Sequence, residues 1–403
     1  MGLTPLIGPN VETRGAAMMR VQAQVRQACI GVCPSKLQWP AFNGCSCCSR
    51  VMSSRGISMP SSMFKRHWLS LSGIVRWSSA RLLAALLVLA MATAITAQDR
   101  EVIIAGLPRY LLETPNYAAA FAPVGQASIT AFFPVFQYQE VPESKGLDRH
   151  ADFLLTQADG SAPTALRANN IRLMLPGDLL YPPQLPMPGP ESDYLPGLIA
   201  RLGREHVHSV VGHDEPWLNG IPIERLEAFY RHVKAIDPRM PIWLTFAPFR
   251  QEEQDRAAAR REYIAAAVRW ADIVAIDCYP IPAHLSDLVD PVDGRRLVDS
   301  QEAVARHTAW LGLVAPEKTI AMVLQGFAYR HLYEPVYREH TFSPATIQAA
   351  RNPTRAELRS MADAALANGA TIIGWWGQSH LGEDDAQLWQ DILAVSTEIV
   401  RGQ

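Results

Sequence analysis

Asp214 and Glu215 stand side by side where a short β-branched run, 209–211, breaks at Gly212, and Pro216 and Trp217 follow directly. A carboxyl group can lend a proton to a departing oxygen or take one from water, and two of them can divide those tasks. An indole alongside offers a flat apolar face on which a sugar ring can stack. Carboxylates shown at a strand end beside such a ring suit acid-catalysed cleavage of a glycosidic bond. Asp-Glu-Pro alone is equally at home in a solvated turn, with Asp214 as a cap, so the surroundings must decide.

Polar and aromatic side chains recur at the ends of other apolar runs. Asp178 follows 171–175, Asp277 and Tyr279 follow 272–276, and Gln325 follows 319–324. Trp375, Trp376, Gln378 and His380 follow 371–373, and His213 precedes the carboxylate pair. These runs, with 102–107, 127–133, 209–211 and 242–246, read as strands. Helical spacing falls at 115–121, 148–157, 195–202, 223–236, 252–270, 301–311, 354–368 and 386–400. Strands and helices in alternation predict one (β/α)8 TIM barrel over 98–403, with the groups that follow the strands converging on one mouth. A doubly wound open sheet is the competing arrangement. The proline-rich passage 181–190 reads as a long loop or lid.

His206 and His208 have the H-x-H spacing of metal-dependent hydrolases. They precede the fourth strand, so they are expected on the opposite, stabilising face of the barrel, and neither a metal nor a cofactor is expected. The formal charge of −2, with 19% charged residues, lacks the basic excess that a nucleic-acid or anionic-membrane partner needs. No phosphate loop, serine-nucleophile elbow or dinucleotide fingerprint is present.

Ahead of the barrel, the apolar run 82–94 follows Lys65, Arg66, Arg76 and Arg81 and precedes Ala92-Thr93-Ala94 and Ile95-Thr96-Ala97. Residues 63–97 therefore read as a signal peptide cleaved after Ala94 or Ala97, or as an uncleaved anchor, and the chain is expected to be exported. Residues 1–62 read as a non-structural extension upstream of a misassigned start. They hold Cys29, Cys33, Cys45, Cys47 and Cys48, with neither paired C-x-x-C knuckles nor a histidine, so zinc is not expected there. Cys278 alone remains in the barrel, which leaves it without an internal disulfide.

Several motifs together resemble a known family. They are Asp214-Glu215-Pro216, Asp277-Cys278-Tyr279-Pro280, Gln325-Gly326-Phe327 and a late run ending in Gly374-Trp375-Trp376. That run also holds Pro353-Thr354, Glu357-Leu358-Arg359, Ala364-Ala365-Leu366 and Gly369-Ala370. Across 170–380 this order resembles the (β/α)8 glycoside-hydrolase-like proteins of the superfamily that carries its acid/base glutamate after strand four. The resemblance implies a carbohydrate substrate and Glu215 as general acid, with its proton held by desolvation or by Asp214 or Asp277. It also implies sugar contacts from Asp277, Tyr279, Asp178, His213 and Gln325, and stacking on Trp217, Trp375 and Trp376.

The departure is at strand seven, where that superfamily usually carries a glutamate nucleophile and this chain has Gln325. An amide cannot attack an anomeric carbon. One consequence is an inverting mechanism with Asp277 or Asp214 as base, about 6.5–9.5 Å from Glu215. The others are a substrate-assisted mechanism with an N-acyl sugar and a non-catalytic barrel that only binds glycans. A metal-dependent hydrolase built on His213, Asp214 and Asp277 is a further alternative.

Overall fold

The computed structural model describes residues 100–112, 116–134, 161–332 and 349–403. The extension 1–62 with its cysteines, the signal or anchor segment 63–97 and the expected helix 148–157 lie outside the described residues. Among the described residues no helix is long and apolar enough to cross a membrane.

Eight strands form a closed, all-parallel barrel in chain order: β1 (Glu101–Ala105), β2 (Ala131–Phe133), β3 (Arg172–Pro176), β4 (Val207–Val211), β5 (Ile242–Phe246), β6 (Ile273–Cys278), β7 (Thr319–Gln325) and β8 (Ile372–Trp376). β8 returns to β1, with Ile103 opposite Gly374 and Ala105 opposite Trp376, and this closure rules out the doubly wound open sheet. Two-residue alternation divides each strand between two cores. Ile103, Met174, Trp243, Ala275, Val323 and Ile372 fill the barrel, while Ile104, Leu175, Val210, Leu244, Val274 and Leu324 face outward to the helices.

The outer layer contains α1 (Tyr117–Gln126), α2 (Ser161–Ala168), α3 (Tyr194–Leu202), α4 (Ile223–Ile236), α5 (Ala257–Ala267), α6 (Ser300–Val314), α7 (Arg355–Ala367) and α8 (Ala386–Arg401). The starts of α1, α3, α6 and α7 are set by side chains that satisfy orphan N–H groups. Asn116 accepts from Ala119, Asp193 from Leu195 and Asp299 from Glu302, and Thr354 with Glu357 completes a capping box. The expected single helix over 252–270 is divided, because only Ala257–Ala267 is α-helical and 3-10 turns, Gln251–Arg256 and Val268–Trp270, flank it.

β2 is shorter than the expected 127–133, and in β4, β6 and β8 a difference in extent from the sequence expectation moves a side chain. β4 begins at Val207, and its register against β3 shifts between Leu173 and Met174, opposite Val207 and Ser209. His208 is the extra residue of this bulge. At the N-terminal end it lies 3.3 Å from Glu101, which also receives Thr130 Oγ1 at 2.5 Å and Arg172 Nη2 at 2.6 Å. Burial alone would raise the Glu101 carboxyl, but His208, Thr130 and Arg172 together hold it at about 2. The histidine therefore belongs to the floor of the barrel. β6 and β8 run further than expected, so Asp277, Trp375 and Trp376 lie within strands.

The proline-rich passage after β3 is tied down at both ends. Tyr181 Oη donates to Asp193 at 2.8 Å, and the other carboxylate oxygen of Asp193 meets His232 Nε2 at 2.7 Å. Arg225 on α4 donates to the carbonyls of Tyr181 and Pro182 at 2.9 and 2.8 Å. These bonds fix the passage as a wall beside the mouth.

Candidate active site

Two glycines set the approach of the strand ends. A Cβ at Gly177 would lie 2.3 Å from the carbonyl oxygen of Val211, and one at Gly212 would lie 2.6 Å from Leu244. At Gly177 the neighbour is backbone, so only glycine lets β3 and β4 come this close, whereas at Gly212 the nearest atom is the end of the Leu244 side chain. Asp178, in the one-turn helix Gly177–Leu180 after β3, is thereby brought within electrostatic reach of Asp214 after β4. Glu215 then bends back across β5, its N–H donating to the Thr245 carbonyl at 3.1 Å. Its φ is +39°, in the left-handed region. A long side chain rarely adopts that conformation, which costs about 1–2 kcal/mol and is concentrated at functional sites. The loop is closed by Asn219, whose Nδ2 donates to the Asp214 carbonyl at 2.7 Å and whose N–H donates to the Glu215 carbonyl at 3.1 Å.

Asp277 is the penultimate residue of β6 and occupies an inward position of the strand, while its neighbour Cys278 packs in the outer core. It is 9% exposed. Burial, then the charges of Asp214 and Glu215, push its carboxyl well above the usual range. Tyr279 offsets part of that rise, yet neither Asp277 Oδ1 nor Tyr279 Oη, both buried, completes a well-aligned hydrogen bond. Burial and the charge of Asp214 raise Asp178 to about 6, against the pull of the Leu179 N–H, which donates to it at 3.0 Å. Enclosure by the funnel walls raises Asp214 to about 6, although its side chain is exposed and solvent tempers the effect. Carboxylates from three strand ends thus meet at one mouth, where burial first, and for Asp178 and Asp277 the neighbouring charges second, favour the protonated acid.

Beside the acids is an aromatic wall. Trp376 stacks on Tyr279 with centroids 5.4 Å apart and planes at 21°, and Phe327 meets both rings edge-on at 5.2 and 5.1 Å. Tyr329 Oη donates to the Tyr279 carbonyl at 2.7 Å and braces the wall.

Three residues expected to contact substrate are directed elsewhere. Trp375 alternates outward from Trp376, is fully buried in the outer core, and donates through Nε1 to Ser396 Oγ at 3.1 Å on α8. Gln325 is also fully buried. Its amide nitrogen donates to the carbonyls of Ile281 and Phe327 at 2.6 and 3.0 Å, and its oxygen accepts the Ile281 N–H at 2.9 Å. It therefore clamps the loop after β6, and its polar atoms are committed to the backbone. His213, 2% exposed, packs beneath the β4 loop against Phe229, with Nε2 3.4 Å from Arg225 Nε. Burial, then Arg225, lowers its pKa to about 4, so it is neutral at physiological pH. A metal set of His213, Asp214 and Asp277 is not assembled, and among the described residues no group of three or more potential ligands is arranged to hold a metal.

Trp217 lies on the outer flank of the β4 loop. Its ring is 5.4 Å from Tyr263, with the Arg256 guanidinium 5.1 Å from its centroid. It lines an indentation with Glu215, Phe246, Ala247, Arg260 and Ile264. Arg260 escaped the sequence reading, although a signal existed. It shares the buried stripe of α5 with Ile264 and Ala267, four and seven residues on, where a charged side chain needs a reason to be.

No protein-family model matches the sequence, and no curated protein matches it. Solved structures resemble it weakly. A family 39 glycoside hydrolase from Bacteroides cellulosilyticus shares 13% identity over 70% of this chain and 56% of its own, with a TM-score of 0.41. A beta-galactosidase from Rahnella sp. R3 shares 11% over 75% and 56%, with a TM-score of 0.43. A family 10 xylanase from Thermobacillus composti shares 13% over 70% and 84%, with a TM-score of 0.36. This chain thus spans little more than half the length of the first two. These values fall short of a shared family, and the barrel is established by its own strand pairing.

Proposed function

We propose that this chain hydrolyses a glycosidic bond of an oligo- or polysaccharide at the C-terminal mouth of its barrel, with Glu215 and Asp277 as the working carboxylates. One observation carries the reading: Asp277, buried in the barrel wall, has Asp214 and Glu215 as its charged neighbours, and Asp178 stands within electrostatic reach of Asp214, so acids from three strand ends meet at one mouth. A proton is therefore available near neutrality for a leaving oxygen, while a neighbouring carboxylate remains free to activate water. Trp376 and Tyr279 supply an apolar wall beside the acids, and Trp217 flanks Glu215. With Gln325 committed to backbone groups, the reaction proceeds by direct attack of water and inverts the anomeric carbon. Export by residues 63–97 would place this activity outside the cytoplasm.

The test is hydrolysis of a panel of aryl and natural glycosides by the full chain, beside Glu215→Gln and Asp277→Asn. The wild type should release sugar of inverted configuration by NMR, and each variant should lose about 10²–10⁴-fold on natural glycosides. Failure of the wild type to cleave any glycoside would reject the reading. Gln325 also favours a second reading, a barrel that binds glycans without cleaving them, and sugar binding without turnover would support it.

A further inference from the structure

Arg260 is 1% exposed, on the face of α5 that packs against the barrel. Its Nη1 pairs with Glu253 and its Nη2 donates to the carbonyl of Ala247, just past β5. The guanidinium carbon lies 4.6 Å from the centroid of Phe249, whose N–H donates to His307 Nε2 on α6 at 3.1 Å. Arg260 Nε is buried with no hydrogen-bond partner. The cation is therefore held rigidly from behind. A guanidinium removed from water requires counter-charge nearby. Glu253 supplies one carboxylate, and Glu215, which lines the same indentation, is the second within electrostatic reach. The left-handed backbone of Glu215 and its bond to Thr245 hold it beside that indentation. Asp277, by contrast, has the anions Asp214 and Glu215 as its charged neighbours.

We infer that Arg260 is a positioning residue for Glu215, giving it a fixed counter-charge that makes Glu215 the base and leaves Asp277 as the acid. This reverses the roles implied by the family resemblance. The division of labour rests on the hydrolysis proposed above, whereas the pairing of Arg260 with Glu215 does not. In the reaction, Glu215 takes a proton from water as the water oxygen bonds to the anomeric carbon. The bond from that carbon to the leaving oxygen breaks, and the oxygen takes the proton of Asp277. One water is consumed, and solvent returns the two carboxyl groups to their starting states.

The groups that face Arg260 are Glu253 and Arg250 on the segment before α5, Glu215 on the β4 loop and His307 on α6, with Asp290 behind the histidine. Those acting on the acid side of the pair are Asp214, Asp277 and Tyr279. The first experiment follows the Glu215 carboxyl carbon by 13C NMR in the full chain across pH, with the signal assigned by its loss in Glu215→Gln. Arg260→Met should raise the midpoint of Glu215 by about one pH unit or more, the effect of removing a near opposite charge. Glu253→Gln, at a partly exposed position, should lower the midpoint by freeing the guanidinium for Glu215, and it decides the matter if Arg260→Met does not fold. Unchanged midpoints would overturn the pairing, whether or not any glycoside is cleaved.

The second experiment compares leaving groups. A dinitrophenyl glycoside needs little protonation, so Asp277→Asn should retain most turnover on it while losing turnover on natural glycosides. Glu215→Gln should lose both and recover with azide. The opposite pattern would overturn the assignment of base and acid while leaving hydrolysis standing, and a wild type without turnover would reject hydrolysis alone.

Discussion

Replacing Asp178 by asparagine removes one charge from the crowded mouth while leaving an oxygen to accept the Leu179 N–H. The Asp178 carboxyl rises from 3.8 to about 6, through burial first and the charge of Asp214 second. With about 1.4 kcal/mol per unit, the folded state bears up to about 3 kcal/mol of unfavourable free energy once Asp178 ionises. The raised folded value means that native protein binds the extra proton. Stability linked to this group is therefore complete below the unfolded value and is lost as pH rises through about 6. Asp178→Asn should match the wild type near pH 4 and be more stable by up to about 3 kcal/mol near pH 7.5, or roughly 6 °C in Tm for a barrel of this size. Urea and thermal unfolding at both pH values measure the difference. An equal increment at the two values, or a variant less stable than wild type near pH 7.5, would refute the reasoning. Because Asp214 contributes to the rise, Asp178→Asn and Asp214→Asn together should gain less than the sum of the single changes.

The floor of the barrel should show the opposite sign. Glu101 is held at about 2 against an ordinary 4.5, so its stabilisation is present above about 4.5 and lost as pH falls toward about 2; Glu101→Gln should cost about 3 kcal/mol near pH 7 and little near pH 2, read by urea unfolding. Gln325→Glu would set a carboxylate against the Ile281 and Phe327 carbonyls, so it should lower stability by about 2–4 kcal/mol in thermal unfolding and create no double-displacement activity. The two adjacent tryptophans should separate cleanly: Trp375→Phe loses the bond to Ser396 and about 1 kcal/mol of stability with sugar affinity unchanged, whereas Trp376→Ala lowers affinity for an aryl glycoside several-fold.

The barrel was legible because parallel strands buried on both faces appear as short apolar runs, and the turn residues between them are conspicuous. The carboxylate cluster was legible for a related reason: Asp178, Asp214 and Glu215 follow apolar runs directly, and a barrel gathers such positions at one end. What failed was alternation within strands whose ends were set too early. Ending the eighth strand before Gly374 left both tryptophans free to face substrate, whereas the strand runs through Trp376 and turns Trp375 to the helices. Ending the sixth at Ile276 concealed that Asp277 lies inside the barrel wall, which is the source of its burial. Gln325 looked like an altered nucleophile because its tie to Ile281, 44 residues away in sequence, has no local signature. The bulge at His208 is likewise a property of the pairing with β3 and cannot be seen in β4 alone.

The left-handed backbone at Glu215 also bears on how variation at this position would be selected. Glycine would occupy that conformation without strain, relieving about 1–2 kcal/mol, and would remove one like charge from Asp277, while Arg260 would keep Glu253 as its counter-charge and lose Glu215. A library randomised at residue 215 and sorted only for resistance to heat should drift toward glycine, while one sorted for turnover should keep an acid. The two selections diverge at a single codon, so the substitutions that this position tolerates under each would record what the carboxylate is for.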